Sequence, residues 1–196
     1  MTKTAIAVLS ALGMLALAAP AGADGRWIDA RPIVGWNQPG GPIPKAGKNF
    51  LVGEERQRCR GSIKTELDAL EKSVEAAGWT VMTDLAGDTI DIPGFRMVWG
   101  TTAADGMCRP EGYQGFVFVG DRFAGTVSPQ PMGARADGTG GPPKAASGGR
   151  FEIDFARFTG TEALCCPSRT SEVRYEVRRD PAGPVVVPVS ATTRRN

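Results

Sequence analysis

The chain has 196 residues, with 23 Lys and Arg against 21 Asp and Glu, a formal charge of +2 and no histidine. That balance excludes the basic profile of a nucleic-acid binder. The missing histidine excludes Ser-His-Asp and Cys-His hydrolases, HExxH proteases and histidine-bound zinc or haem.

Met1 to Lys3 form a short basic start, Ala5 to Ala18 an apolar stretch and Ala21-Gly22-Ala23 a small-x-small site, which reads as a secretory signal peptide over residues 1–23. A membrane anchor would need roughly 17–25 apolar residues, and Pro20 and Gly22 break the run too early. Cleavage would leave Asp24 at the start of an exported chain that is not inserted in a membrane, destined for the periplasm, the cell surface or the medium. The first cysteine is Cys59, so the box that directs N-terminal lipidation is missing.

Residues 24–50 scatter Trp27, Ile28, Ile33 and Trp36 among Gly and Pro, and Gln38-Pro39-Gly40-Gly41-Pro42-Ile43-Pro44 is incompatible with helix. This stretch reads as an extended arm whose tryptophans either pin it to the domain or mark a binding surface. A single domain is expected over residues 51–190, with 191–196 as a tail.

Ser62 to Ala77 carry the helical period: Ile63, Leu67, Leu70 and Val74 share a face opposite Lys64, Asp68, Glu71 and Lys72. Ser62 suits the N-cap and Gly78 the C′ position. Short β-type runs follow near 79–83 and 95–101. Residues 112–119 and 122–127 flank Gly120-Asp121, a two-residue hairpin turn. Residues 128–150 are rich in Gly and Pro and read as a mobile loop. Phe151, Ile153 and Phe155 alternate with acidic residues, and Val173, Tyr175 and Val177 with charged ones, so each strand offers one apolar face. The expected fold class is α+β: one amphipathic helix packed on a mainly antiparallel sheet, in two layers.

Cys59, Cys108, Cys165 and Cys166 read as two disulfides of an exported domain. Adjacent cysteines are only about 3.8 Å apart at Cα, short of the usual disulfide range, which argues against a bridge between the neighbours. Cys165 shares parity with Val173, Tyr175 and Val177, which favours Cys59–Cys165 and Cys108–Cys166.

The segment Asp105 to Pro110, the hairpin Gly115 to Thr126 and Cys165-Cys166-Pro167-Ser168 together resemble the LppP/LprE family of exported bacterial proteins, over roughly Gly53 to Val189. The resemblance implies residence in the envelope, in a family of lipoproteins, and brings no reaction and no catalytic residue with it. The missing lipobox cysteine departs from the family pattern.

Other chemistry is thinly represented. There is no Walker loop, Rossmann fingerprint, Cys-x-x-Cys or Ser-x-x-Lys. Asp84, Asp88 and Asp91 lack the spacing and the terminal Glu of an EF-hand, and Glu152 and Asp154 fit the solvated face of a strand better than a glycosidase pair. No cofactor or metal is expected. The reading is a non-catalytic binding or structural module for an unidentified envelope ligand or protein, with Trp27, Trp36, Asp121 and Arg122 as its candidate surface. Its rivals are a redox protein using Cys165 and Cys166, or a histidine-independent hydrolase.

Overall fold

In a computed structural model the described residues are 26–83, 90–163 and 165–196. The leader read at 1–23, and Asp84 and Asp88, lie outside them. No helix among the described residues is long and apolar enough to cross a membrane.

The chain forms two antiparallel sheets rather than a single sheet under a helix. The first contains β1 (Thr80–Val81), β2 (Ile90–Ile92), β3 (Phe95–Ala104), β4 (Pro110–Val119), β5 (Arg122–Thr126) and β6 (Met132–Gly133). Its main path is β1-β3-β4-β5, with β2 on β3 and β6 on β4. The second contains β7 (Thr139–Gly140), β8 (Lys144–Ala146), β9 (Arg150–Arg157), β10 (Arg169–Asp180) and β11 (Gly183–Arg195), ordered β11-β10-β9-β7 with β8 also on β9.

Alternation along the strands decides which side chains meet. Phe95, Met97, Trp99, Tyr113 and Val117 of the first sheet share one buried cluster with Phe151, Ile153, Phe155, Val173, Tyr175 and Val186 of the second. Phe151 stacks on Tyr175 with ring centroids 4.8 Å apart, and each such side chain contributes roughly 1.5–3 kcal/mol by leaving water. The opposite parity of the first sheet, Val98, Phe116 and Phe118, forms a second cluster with Val74 and Trp79. The first sheet is therefore buried on both faces. The second keeps a charged outer face, where Arg174 bridges Glu152 at 2.8 Å and Lys144 bridges Asp154 at 2.7 Å.

The helix is shorter than its hydrophobic period suggests. It runs as α2, Ala69–Ala76, after a short α1, Gly53–Arg58. Asp68, not Ser62, is the N-cap: its carboxylate accepts from the Leu70 and Glu71 N–H groups while Glu71 accepts from the Asp68 N–H. Upstream, Ile63 pairs with Met82 and the Lys64 N–H donates to Val81, so this stretch spends its backbone on β1 instead of a helix. At the other end the Gly78 N–H bonds Glu75 and the Trp79 N–H bonds Val74, a Schellman closure that needs the positive φ of Gly78.

The hairpin at Gly120-Asp121 closes as expected, with Val119 opposite Arg122. The stretch 128–150, expected as a loop, carries three short strands, and β11 runs through most of the expected tail.

Candidate functional site

Residues 30–50 contain no helix or strand and pass from the edge of the second sheet, at Asn37 and Val186, to the first, where the Phe50 N–H donates to the Thr102 carbonyl. They are held by side chains that satisfy the backbone of strand edges. The Asn37 amide donates to the Thr126 carbonyl at 2.9 Å and to the Val186 carbonyl at 3.0 Å, and its oxygen accepts from the Thr126 N–H at 2.9 Å. One side chain thus links β5 to β11. Gly125 beside it has φ 138°, and a Cβ there would collide with the Asn37 amide. The Trp36 indole donates to the Thr126 carbonyl at 3.1 Å, and the Trp79 indole to the Pro44 carbonyl at 2.8 Å.

Between the arm and the first sheet lies a cleft of about 310 Å³, at the small end of the range for ligand sites. Trp36, Trp79 and Phe123 give it aromatic surface, and Pro42, Pro44, Pro129 and Pro131 rigid walls. Gln38, Gln114 and Gln130 supply amides, and Lys45 is the one charged side chain of the lining among the described residues. The floor is a buried polar network. The Gln114 amide donates to the Ser128 carbonyl at 3.1 Å, the Ser128 hydroxyl to Gln114 Oε1 at 2.8 Å, and the Thr126 hydroxyl to the Ser128 carbonyl at 2.8 Å. A satisfied network of this kind fixes the shape of the floor. Among the described residues, no carboxylate, thiol or metal-binding cluster lines the cleft, and no group of three metal-ligating side chains occurs.

The four residues read from the sequence as a candidate surface are distributed as follows. Trp36 lines the cleft. Trp27 is 8% exposed and packs edge-on against Trp36 and Phe155, centroids 5.2 and 5.9 Å away, as a core residue. Asp121 and Arg122 are exposed at the hairpin, and the Arg122 guanidinium donates to the Ala182 carbonyl at 2.9 Å, tying the hairpin to the β10–β11 turn. Asn37, Gln114, Thr126 and Ser128, which shape the cleft, carry no motif that a single sequence reveals. Of the carboxylates considered for catalysis, Glu152 and Asp154 stand on the outer face of β9, paired with Arg174 and Lys144. Asp91 belongs to β2.

All four cysteines are bonded, but not in the expected pairing. Cys59 joins Cys108, and Cys165 joins Cys166. The parity argument fails because β10 begins only at Arg169: residues 165–166 sit in a turn, where the Cys166 N–H donates to the Ala163 carbonyl. Cys59, just after α1, instead shares a cluster with Leu51, Ile63 and Met82 that Cys108 reaches from the β3–β4 turn.

No curated protein and no solved structure matches the chain. Residues 96–180 match the family model described as LppP/LprE lipoprotein. The matched stretch starts in β3 and ends with β10, so it contains the central strands of both sheets, while the arm, α2 and β11 lie outside it. Over this stretch, residues 96–180, the chain is similar to the LppP/LprE lipoprotein family.

Proposed function

We propose that this is an exported envelope protein that holds a neutral saccharide in the cleft between its arm and the first sheet, without covalent chemistry. The lining carries the reading: aromatic rings and prolines beside amides, with a single charged group. Sugar rings offer apolar C–H faces to aromatic surface and hydroxyls to amides, which is the division this cleft provides. Acid–base catalysis needs titratable groups within hydrogen-bond reach of a substrate, and Lys45 has no titratable neighbour in the lining. Export and envelope residence rest on the lipoprotein description of the family and on the leader read at residues 1–23.

Titration with chitooligosaccharides, followed by tryptophan fluorescence and calorimetry, tests this. Binding is expected, weakened about fivefold or more in Gln38→Ala/Gln130→Ala through lost hydrogen bonds. A folded protein whose fluorescence and heats do not respond to the oligosaccharide would sink the proposal. The exposure of both Cys165 and Cys166 favours a second reading, thiol–disulfide exchange at that pair.

A further inference from the structure

At the end of the second sheet that carries the 158–168 connection, three arginines stand in register. Arg169 at the start of β10 is directly opposite Arg157 on β9 and directly opposite Arg195 on β11. Cross-strand partners project from the same face about 5 Å apart, and like charges placed so repel. The row shares its parity with Ser171, Val173 and Tyr175, so it continues the core-facing side of the sheet.

Arg157 alone of the three has an ion-pair partner among the described residues. Arg157, 1% exposed, donates to both oxygens of Asp29, at 3.1 and 2.7 Å, and to the Ser171 hydroxyl at 2.9 Å. Asp29 is also within electrostatic reach of Arg169, although its two oxygens bond Arg157. Arg169 and Arg195 form no ion pair or side-chain hydrogen bond among the described residues, and Nε of Arg169 is buried without a partner. The two line a hollow of about 510 Å³ with Thr159, Ser168 and Asn196. The nearest carboxylate of the connection, Glu162, is turned back on its own loop, accepting from the Thr159 N–H at 2.8 Å and the Ser168 N–H at 3.4 Å. Asn196 ties the wall together: its amide donates to the Pro167 carbonyl at 2.7 Å and its oxygen accepts from the Thr170 hydroxyl.

We infer that Arg169 and Arg195 form a binding site for a phosphoryl group. Two guanidinium forks arriving from adjacent strands offer donors to separate oxygens of a tetrahedral anion, an arrangement that a single planar fork does not supply. A bound phosphoryl group places negative charge between two cations that otherwise repel, and it gives the buried Nε of Arg169 an acceptor. The hollow shares no lining residue with the cleft of the proposed saccharide, so the two assignments stand or fall separately.

The phosphoryl group reaches the site either free or on a lipid headgroup, and two probes separate these sources. The first is calorimetric titration with inorganic phosphate. The second is co-sedimentation with phosphatidylcholine vesicles containing phosphatidylglycerol. Either probe is expected to bind and to lose at least about tenfold in affinity in Arg169→Gln/Arg195→Gln. Arg178→Gln, which removes an outer-face partner of Glu176 at 3.0 Å, should bind like the unaltered protein. Should that double variant fail to fold, Arg195→Gln alone, whose side chain is exposed, carries the same comparison. Phosphate binding assigns a soluble source and binding to vesicles alone assigns a headgroup. Failure of both probes, or binding that is indifferent to the arginines, overturns the inference.

Discussion

Arg157 is the largest side chain that the fold buries outright, and it is charged. Its partner Asp29 is half-exposed, at 46% of its side-chain surface. Burial alone pushes the Asp29 carboxyl up, but the hydrogen bonds and charge of Arg157 outweigh it and hold the group below the usual carboxylate range. A carboxyl depressed by folding contributes stability that is fully present above its unfolded value and is lost as the pH falls through its folded one. Asp29→Asn should therefore cost roughly 1–3 kcal/mol at neutral pH, since a buried guanidinium loses its counter-charge. In urea titrations the gap between variant and parent should close as the pH drops below about 4, and a gap independent of pH would refute the assignment. The sequence contains one trace of this pair. After Phe151, Ile153 and Phe155, position 157 continues the apolar parity with an arginine, a mismatch that calls for a buried acceptor. Nothing near Asp29 identifies it as that acceptor, because the pairing spans 128 positions of sequence.

At the scale of elements, period-two alternation in β9 and β10 and the Gly120-Asp121 turn were fully legible, because each depends on neighbours close in sequence. The helix was half legible. Its face was correctly read from Leu70 to Val74, but Ile63 and Lys64 are claimed by β1, and the capping box of Asp68 and Glu71 starts the helix six residues later than Ser62 would allow. β11, which the sequence reading did not include, carries Pro184 and Pro188. Both are tolerated on an edge strand, which has no neighbour on one side to receive an N–H. The cleft was legible only at Trp36. Its remaining geometry depends on the arm, whose position is set by Asn37. Asn37→Ala should strip three hydrogen bonds from the edges of β5 and β11 and lower stability by roughly 1–3 kcal/mol. Limited proteolysis should then cut residues 30–50 earlier than in the parent, and an unchanged cleavage pattern would show that the arm is held by its aromatic anchors alone.

For the whole molecule, the two bridges do unequal work. Cys59 and Cys108 close a loop across 49 positions, tying α1 to the β3–β4 turn, which the chain-entropy model rates at about 4 kcal/mol. Cys165 and Cys166 are adjacent, close no loop of that size and are both exposed, whereas Cys59 is 1% exposed. A low concentration of a water-soluble phosphine, itself oxidised to the phosphine oxide, should reduce the exposed pair first and leave the melting temperature nearly unchanged. Further reduction at Cys59–Cys108 should lower it sharply. Thiol alkylation with mass mapping at each step checks the order, and loss of Cys59–Cys108 first would contradict it. Parity suggested the wrong pairing because it assumed an extended chain through residues 165–168, where the molecule turns. The strand edges of β5 and β11 have a further consequence. An unpaired edge is a template on which a strand of another chain can grow, the first step towards fibrils. Here β11 withholds two N–H groups through Pro184 and Pro188, and Asn37 occupies carbonyls on both β5 and β11. The chain thus blunts these edges with its own arm, a safeguard against self-association.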